Sequence, residues 1–335
     1  MSFIRTLVAH GVGEIILDRP KALNALDQTM VDDMMPILSA WADDPAIDTV
    51  LVTSASDRAF CAGGDIRAIR DNAIDGDSEA INRYFSSEYR LDQLVANFPK
   101  PYIALIDGAA MGGGLGISVH GEIRVVTEKS LIAMPETAIG FFPDIGATYF
   151  LPRLPAGVGM WLGLTGARIK GADAVTVGLA THYVRSDRLP DLADALRSGT
   201  AIGEALRAHT EEPPPTEIPL SKVAAYFDDV SVPAIIGGLR GADDHWAAQQ
   251  LDLLASASPT SLVVTARMLE LGGQSSLDQC LDRELYAAER ITATPDFAEG
   301  VRAVLVDKDR NPAFTPDSVE AVAAATVADI VGDAH

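Results

Sequence analysis

An α/β fold is predicted from two observations. Apolar runs of strand character alternate with stretches of helical periodicity up to residue 209. Glycine-rich loops follow two of the buried strands, and α/β folds place their ligands at such strand ends. Residues 3–9 and 13–18 are β-rich runs parted by His10-Gly11-Val12, a turn-compatible break. Asp27 is placed to cap a helix, with Met30, Met34, Leu38 and Trp41 recurring behind it at helical spacing. Pro36 inside that pattern has no N–H, which predicts a kink or a shortened helix. Residues 49–53 read as a buried strand that leads through a polar loop to Cys61-Ala62-Gly63-Gly64-Asp65. Residues 78–97 have a helical pattern. Residues 102–106 form a second buried strand, running through Asp107-Gly108 into Met111-Gly112-Gly113-Gly114-Leu115-Gly116. Further short strands are expected over 123–126 and 131–133. The segment Glu211-Glu212-Pro213-Pro214-Pro215-Thr216 cannot continue a helix, and beyond it nearly everything is helical in pattern. A core over 1–209 and a helical C-terminal region over 210–335 follow. In that region the helix 276–291 carries Leu277, Cys280, Leu281, Leu285, Ala288 and Ile291 on one face, with Ser275 and Asp278 at capping-box spacing.

Composition narrows the function classes. The 335 residues include 26 Lys and Arg against 47 Asp and Glu, a formal charge of −21. A grip on nucleic acid needs a cationic footprint, and a polybasic membrane anchor needs the same, so neither is expected. No apolar run approaches the roughly 18 residues of a membrane-spanning helix. Met1-Ser2-Phe3-Ile4-Arg5 lacks the layout of a signal peptide, and Cys61 and Cys280 lie far apart, so a cytoplasmic protein is expected.

The residues that carry chemistry are few. The two glycine loops suit turns and tight packing. If adjacent in space, they suit equally a pair of backbone N–H donors to one developing oxyanion. Neither is a nucleotide loop: Ile117 stands where a dinucleotide fingerprint needs its third glycine, and no P-loop pattern occurs. The stretch from Met134 to Gly146 carries Glu136 and Asp144 in an apolar setting. They read as a capping residue and a turn residue, or as an acid–base pair whose pKa values burial raises. Cys61 and Cys280 read as small core residues. The histidines, at 10, 120, 182, 209, 245 and 335, are scattered, and no metal-ligand spacing occurs, so neither a metal nor a separate cofactor is expected.

Four segments in order resemble the crotonase (enoyl-CoA hydratase/isomerase) superfamily: Arg19-Pro20-Lys21-Ala22-Leu23-Asn24-Ala25-Leu26, Phe60 to Asp65, Lys100-Pro101 leading to Met111-Gly112-Gly113-Gly114, and Pro135-Glu136 with Gly140. Within it the chain is most similar to the 3-hydroxyisobutyryl-CoA hydrolase family. That similarity rests on the stretches 111–121 and 134–146, Tyr149 to Leu154, Ser258 to Leu262 and Asp296 to Asp309. The resemblance implies a crotonase-like spiral of ββα turns followed by a helical C-terminal region. It also implies an acyl-CoA thioester as substrate, with coenzyme A as part of that substrate, and a role in valine degradation. It places oxyanion donors at Gly64 and Gly113, the catalytic pair at Glu136 and Asp144, and a substrate contact at Glu88. A superfamily hydratase uses two glutamates; the first falls here on Gly116, which cannot transfer a proton. Rival readings are a hydratase or isomerase on the same fold and a non-catalytic acyl-CoA-binding relative. The superfamily's habit of association makes a homo-oligomer an expectation. Lys21, Arg67 and Lys100, which flank the motif loops, are candidate cations for the coenzyme's phosphates or ordinary surface charges.

Overall fold

The N-terminal hairpin turns where His10 and Gly11 both take positive φ, 51° and 80°. They join β1 (Ile4–Ala9) to β2 (Val12–Leu17) in antiparallel register. The short primed geometry suits the twist of paired strands. The computed structural model describes residues 2–332; Met1 and residues 333–335, His335 among them, lie outside the described residues.

The chain falls into two compact units. The first comprises the described parts of Met1–Gly64, Arg90–Ile132 and Ile169–Glu217. Its main sheet continues from the hairpin through β3 (Thr49–Ser54). A second, smaller sheet uses β4 (Ala59–Cys61). β5 (Tyr102–Ile106) returns to the main sheet, β6 (Ala109–Met111) to the small one. β7 (Ile123–Val126), β8 (Leu131–Ala133), β9 (Ile169–Lys170) and β10 (His182–Tyr183) complete them. The orders are β1-β2-β3-β5-β7-β10 and β4-β6-β8-β9. From β2 onward the main sheet is parallel. Strands covered on both faces read as continuous apolar runs, as β3 and β5 do. Leu51, Ile103, Leu105 and Val125 pack with Leu192, Leu196 and Leu206 of the helices Leu189–Arg197 and Ile202–His209.

Asp27 caps the helix Gln28–Asp43, accepting from Met30 N. Of the kink or shortening expected at Pro36, the shortening does not occur: the helix runs through it, with Met30, Val31, Met34, Leu38 and Trp41 buried on both sides. Burial along the whole stripe holds the two halves despite the lost hydrogen bond.

The second unit comprises Asp65–Tyr89, Ala133–Arg168 and the described part of Ile218–His335. Apart from the end of β8 it is helical, including the region beyond Pro213–Pro215. The best-patterned helix is present as Leu277–Ile291, but its capping box is Ser276 with Gln279, one residue later than expected. Both boxes have serine at the cap; the observed one closes because the Gln279 side chain reaches back to the Ser276 N–H. Leu277 and Leu285 are only half-buried, and Glu284 occupies the core face instead.

Asn24 ties the segment around Arg19 to the strands β3 and β4. Its φ is 55°, its Oδ1 accepts from Arg19 N at 2.8 Å, and its Nδ2 donates to Ser54 Oγ and Phe60 O. Asn24→Ala removes all three bonds and puts alanine in left-handed backbone, so it should cost about 2–4 kcal/mol, read from urea unfolding midpoints.

Candidate active site

The two glycine loops of the first unit lie side by side. They leave the paired parallel strands β4 and β6, in which Cys61 is opposite Ala110. The first loop is pinned by Ala62 N donating to Leu23 O, Leu26 N donating to Gly63 O, and a bridge between Leu26 and Gly64. In the second, Gly112 takes φ 44° and Gly113 opens the helix Gly113–Val119. The N–H of a first helical residue has no intrahelical acceptor and is available to an incoming oxygen. Closeness demands glycine at one further point: a Cβ on Gly114 would lie 2.3 Å from Cys61 O. Cys61 and Cys280 are buried free thiols, as expected of core residues.

The second unit gathers carboxyls. Glu88 projects from the helix Ser78–Ala96, Glu136 opens the short turn Glu136–Ile139, and Asp144 lies in the loop that follows. All three are buried, at 2%, 7% and 5% exposure, which a surface cap or turn residue would not be. Tyr89 donates to Asp144 Oδ2 at 2.8 Å, and Tyr84 reaches Glu88 at 3.4 Å. Glu136 Oε2 is buried and accepts no hydrogen bond among the described residues. Aromatic rings surround the group: Phe141 stacks on Phe85 and Phe142 with centroids 5.4 and 4.7 Å away, and Phe297 lies at 5.8 Å.

Two features fix the Glu136 turn. Thr137 Oγ1 donates to Leu164 O, and Ser258 N donates to Thr137 O. The turn ends at Gly140, φ 72°, where a Cβ would lie 2.3 Å from Asp296 O. Asp296 in turn accepts from Ser258 Oγ and Thr315 N. The C-terminal segments thus hold the backbone from which Glu136 projects.

Sequence reasoning missed Glu284. It is fully buried on the helix Leu277–Ile291 and accepts from Gly146 N at 2.7 Å, Thr148 N at 3.0 Å and Thr148 Oγ1 at 2.6 Å. The available signal was a carboxylate four residues from both Cys280 and Ala288, in the middle of an apolar face.

Burial and mutual repulsion govern the electrostatics. Burial pushes Asp144 up to about 7, against the Tyr89 hydrogen bond. Burial, then the charge of Asp144, raises Glu88 and Glu136 well above the usual carboxylate range. Glu284 is pushed up to about 8, again by burial first. Unfolded, these groups lose their protons near pH 4. Between about pH 5 and pH 8 the folded chain therefore holds more protons than the unfolded one, and stability falls as pH rises. Urea midpoints should decline across that window, and Asp144→Asn should flatten the decline; midpoints that rise with pH would contradict this assignment.

Of the three candidate cations, Lys100 donates to Trp41 O and Asp44 O and so closes the end of the helix Gln28–Asp43. Arg67 donates to Leu305 O, while Lys21 is exposed. Among the described residues no group of three or more His, Cys, Asp or Glu side chains is placed to hold a metal ion, and no helix is long and apolar enough to cross a membrane.

Parallel strands ending in adjacent glycine loops in one unit, and a buried carboxyl cluster in the other, each fit the crotonase class of enzyme that the sequence motifs resemble. The enoyl-CoA hydratase/isomerase family matches residues 12–331, and the chain belongs to that family. Among curated relatives, "3-hydroxyisobutyryl-CoA hydrolase, mitochondrial" of Xenopus tropicalis is 43% identical over 322 residues, covering 92% of this chain and 83% of that protein. The protein of the same name from Homo sapiens is 42% identical with the same coverage. Among solved structures, a carnitinyl-CoA dehydratase from Mycobacterium thermoresistibile superposes with a TM-score of 0.93 at 38% identity, over 99% of this chain and 96% of that one. An enoyl-CoA hydratase from Rhodobacter sphaeroides 2.4.1 gives 0.92 at 36% identity, over 98% and 97%.

Proposed function

We propose that this chain hydrolyses the thioester of 3-hydroxyisobutyryl-CoA, or of a similarly short 3-hydroxyacyl-CoA, to the free hydroxy acid and coenzyme A. The buried carboxyl group of Glu136, Asp144 and Glu88 carries this reading, in a chain whose curated relatives bear that enzyme's name. The N–H groups of Gly64 and Gly113 receive the thioester carbonyl oxygen and stabilise the charge that develops on it. Glu136 either attacks the carbonyl carbon, expelling the thiolate and leaving a mixed anhydride that water opens, or takes a proton from the attacking water. Asp144 and Glu88 orient the substrate hydroxyl. A buried polar site of this kind rejects analogues that lack the hydroxyl, because its own groups are then left unpaired.

The names of the two solved relatives favour hydration of an enoyl-CoA as the second reading. Gly116 counts against it. The resemblance assigns that position to one of a hydratase's two glutamates, and a Cβ there would lie 2.5 Å from the Asp92 carboxylate. Mixing the protein with 3-hydroxyisobutyryl-CoA and following free thiol separates the readings. Thiol release at catalytic rates is expected; turnover of an enoyl-CoA without thiol release would overturn the proposal, and binding without either reaction would favour an inactive relative. The cytoplasmic location expected from the sequence and the mitochondrial one in the relatives' names are separated by cell fractionation.

A further inference from the structure

We infer that Glu284 is the positioning residue of the Asp144 loop, holding by three hydrogen bonds the backbone that aims Asp144 at the substrate. The inference rests on the hydrolase reading for what Asp144 does, and on the geometry of the second unit for how it is held.

Three observations converge. The Glu284 carboxylate accepts from Gly146 N, Thr148 N and Thr148 Oγ1, within four residues after Asp144, although the partners are 138 and 136 residues apart in sequence. Between Asp144 and these anchors stands Ile145, a buried β-branched residue at φ 57°. A branched side chain in left-handed backbone is strained, and such strain persists only where the surroundings over-determine it. Finally, Asp144 itself is held by Tyr89. The side chain is thus fixed from one helix and its backbone from another. A buried carboxylate that served only to dock its helix would not need to place all its bonds on one loop beside a reactive group. Releasing Glu284 lets Ile145 relax and moves Asp144, and displacements of about 1 Å in a reactive group cost on the order of 10²-fold in rate.

Glu284→Gln tests this. Glutamine keeps one acceptor and turns the other into an N–H₂ donor, so it cannot receive both Gly146 and Thr148. Three readings are taken on the full chain. Amide exchange at Gly146 and Thr148 should accelerate while the strands β3 and β5 stay protected. kcat for hydrolysis should fall by about 10- to 100-fold with KM little changed. In an Asp144→Asn background the same substitution should add less than about a threefold loss, because a residue acting through Asp144 has nothing left to position. Multiplying losses in the double variant, or unchanged exchange, would overturn the inference. If Glu284→Gln does not fold, Thr148→Val removes one of the three bonds and is read in the same way. A wild-type protein that releases no thiol would sink the hydrolase reading, while the exchange measurement would still decide whether Glu284 holds the loop.

Discussion

Glu136→Gln is expected to lower kcat for 3-hydroxyisobutyryl-CoA hydrolysis by about 10²–10⁴-fold, the range spanned by a lost acid–base group. Glutamine has nearly the same shape, and burial already makes a charge at this position costly. Stability should therefore hold or rise slightly, and the lost rate cannot be assigned to unfolding. Glu136 Oε2 accepts no hydrogen bond among the described residues, so the substitution breaks none there. Urea midpoints and kcat measured on one preparation provide the check; activity within a few-fold of wild type would remove Glu136 from the mechanism. Label found in Glu136 after turnover in ¹⁸O-water would establish the nucleophilic role, since it enters there only if an anhydride forms and water attacks its glutamyl carbon.

Gly114→Ala should be nearly as damaging by a different route. The added Cβ would meet Cys61 O at 2.3 Å and Cys61 Cβ at 2.9 Å, so loop and helix must part. The separation displaces the segments that carry Gly64 and Gly113. Loss of one oxyanion donor typically costs about 10²–10³ in kcat, and that is the effect expected here. Some stability should be lost too, so a control is needed. Gly76→Ala supplies it: Gly76 has φ 73° and nothing within 4 Å of a built Cβ. It should cost about 1–2 kcal/mol from left-handed backbone alone, with kcat unchanged. Equal kcat losses in the two variants would mean that Gly114 acts only through stability.

The α/β alternation and the positions of both glycine loops were legible because they depend on local pattern. Buried parallel strands are apolar throughout, and turns with positive φ select glycine. Pro36 does not shorten its helix, since burial on both sides of it outweighs one missing hydrogen bond. The capping box was misplaced by one residue because Ser275 and Ser276 are alike until the reach of Gln279 decides between them. The carboxyl cluster was only partly legible. Glu136 and Asp144 stand in one apolar stretch, whereas Glu88 came from family resemblance. Its position four residues after Tyr84, on a buried helix face, marks it only once that face is known to be covered. Glu284 was missed because its partners are remote in sequence; its place amid the apolar face of Leu277–Ile291 was a local signal, but that pattern does not say what the carboxylate bonds.

The latch on the Glu136 turn has a consequence for synthesis. Ser258, Asp296 and Thr315 hold a turn that leaves the ribosome more than a hundred residues before the first of them. On the proposed roles, a nascent chain that already carries Glu88, Glu136 and Asp144 is expected to be idle, as is any fragment ending before residue 296. Truncated products of this chain should thus be unable to consume acyl-CoA while awaiting degradation.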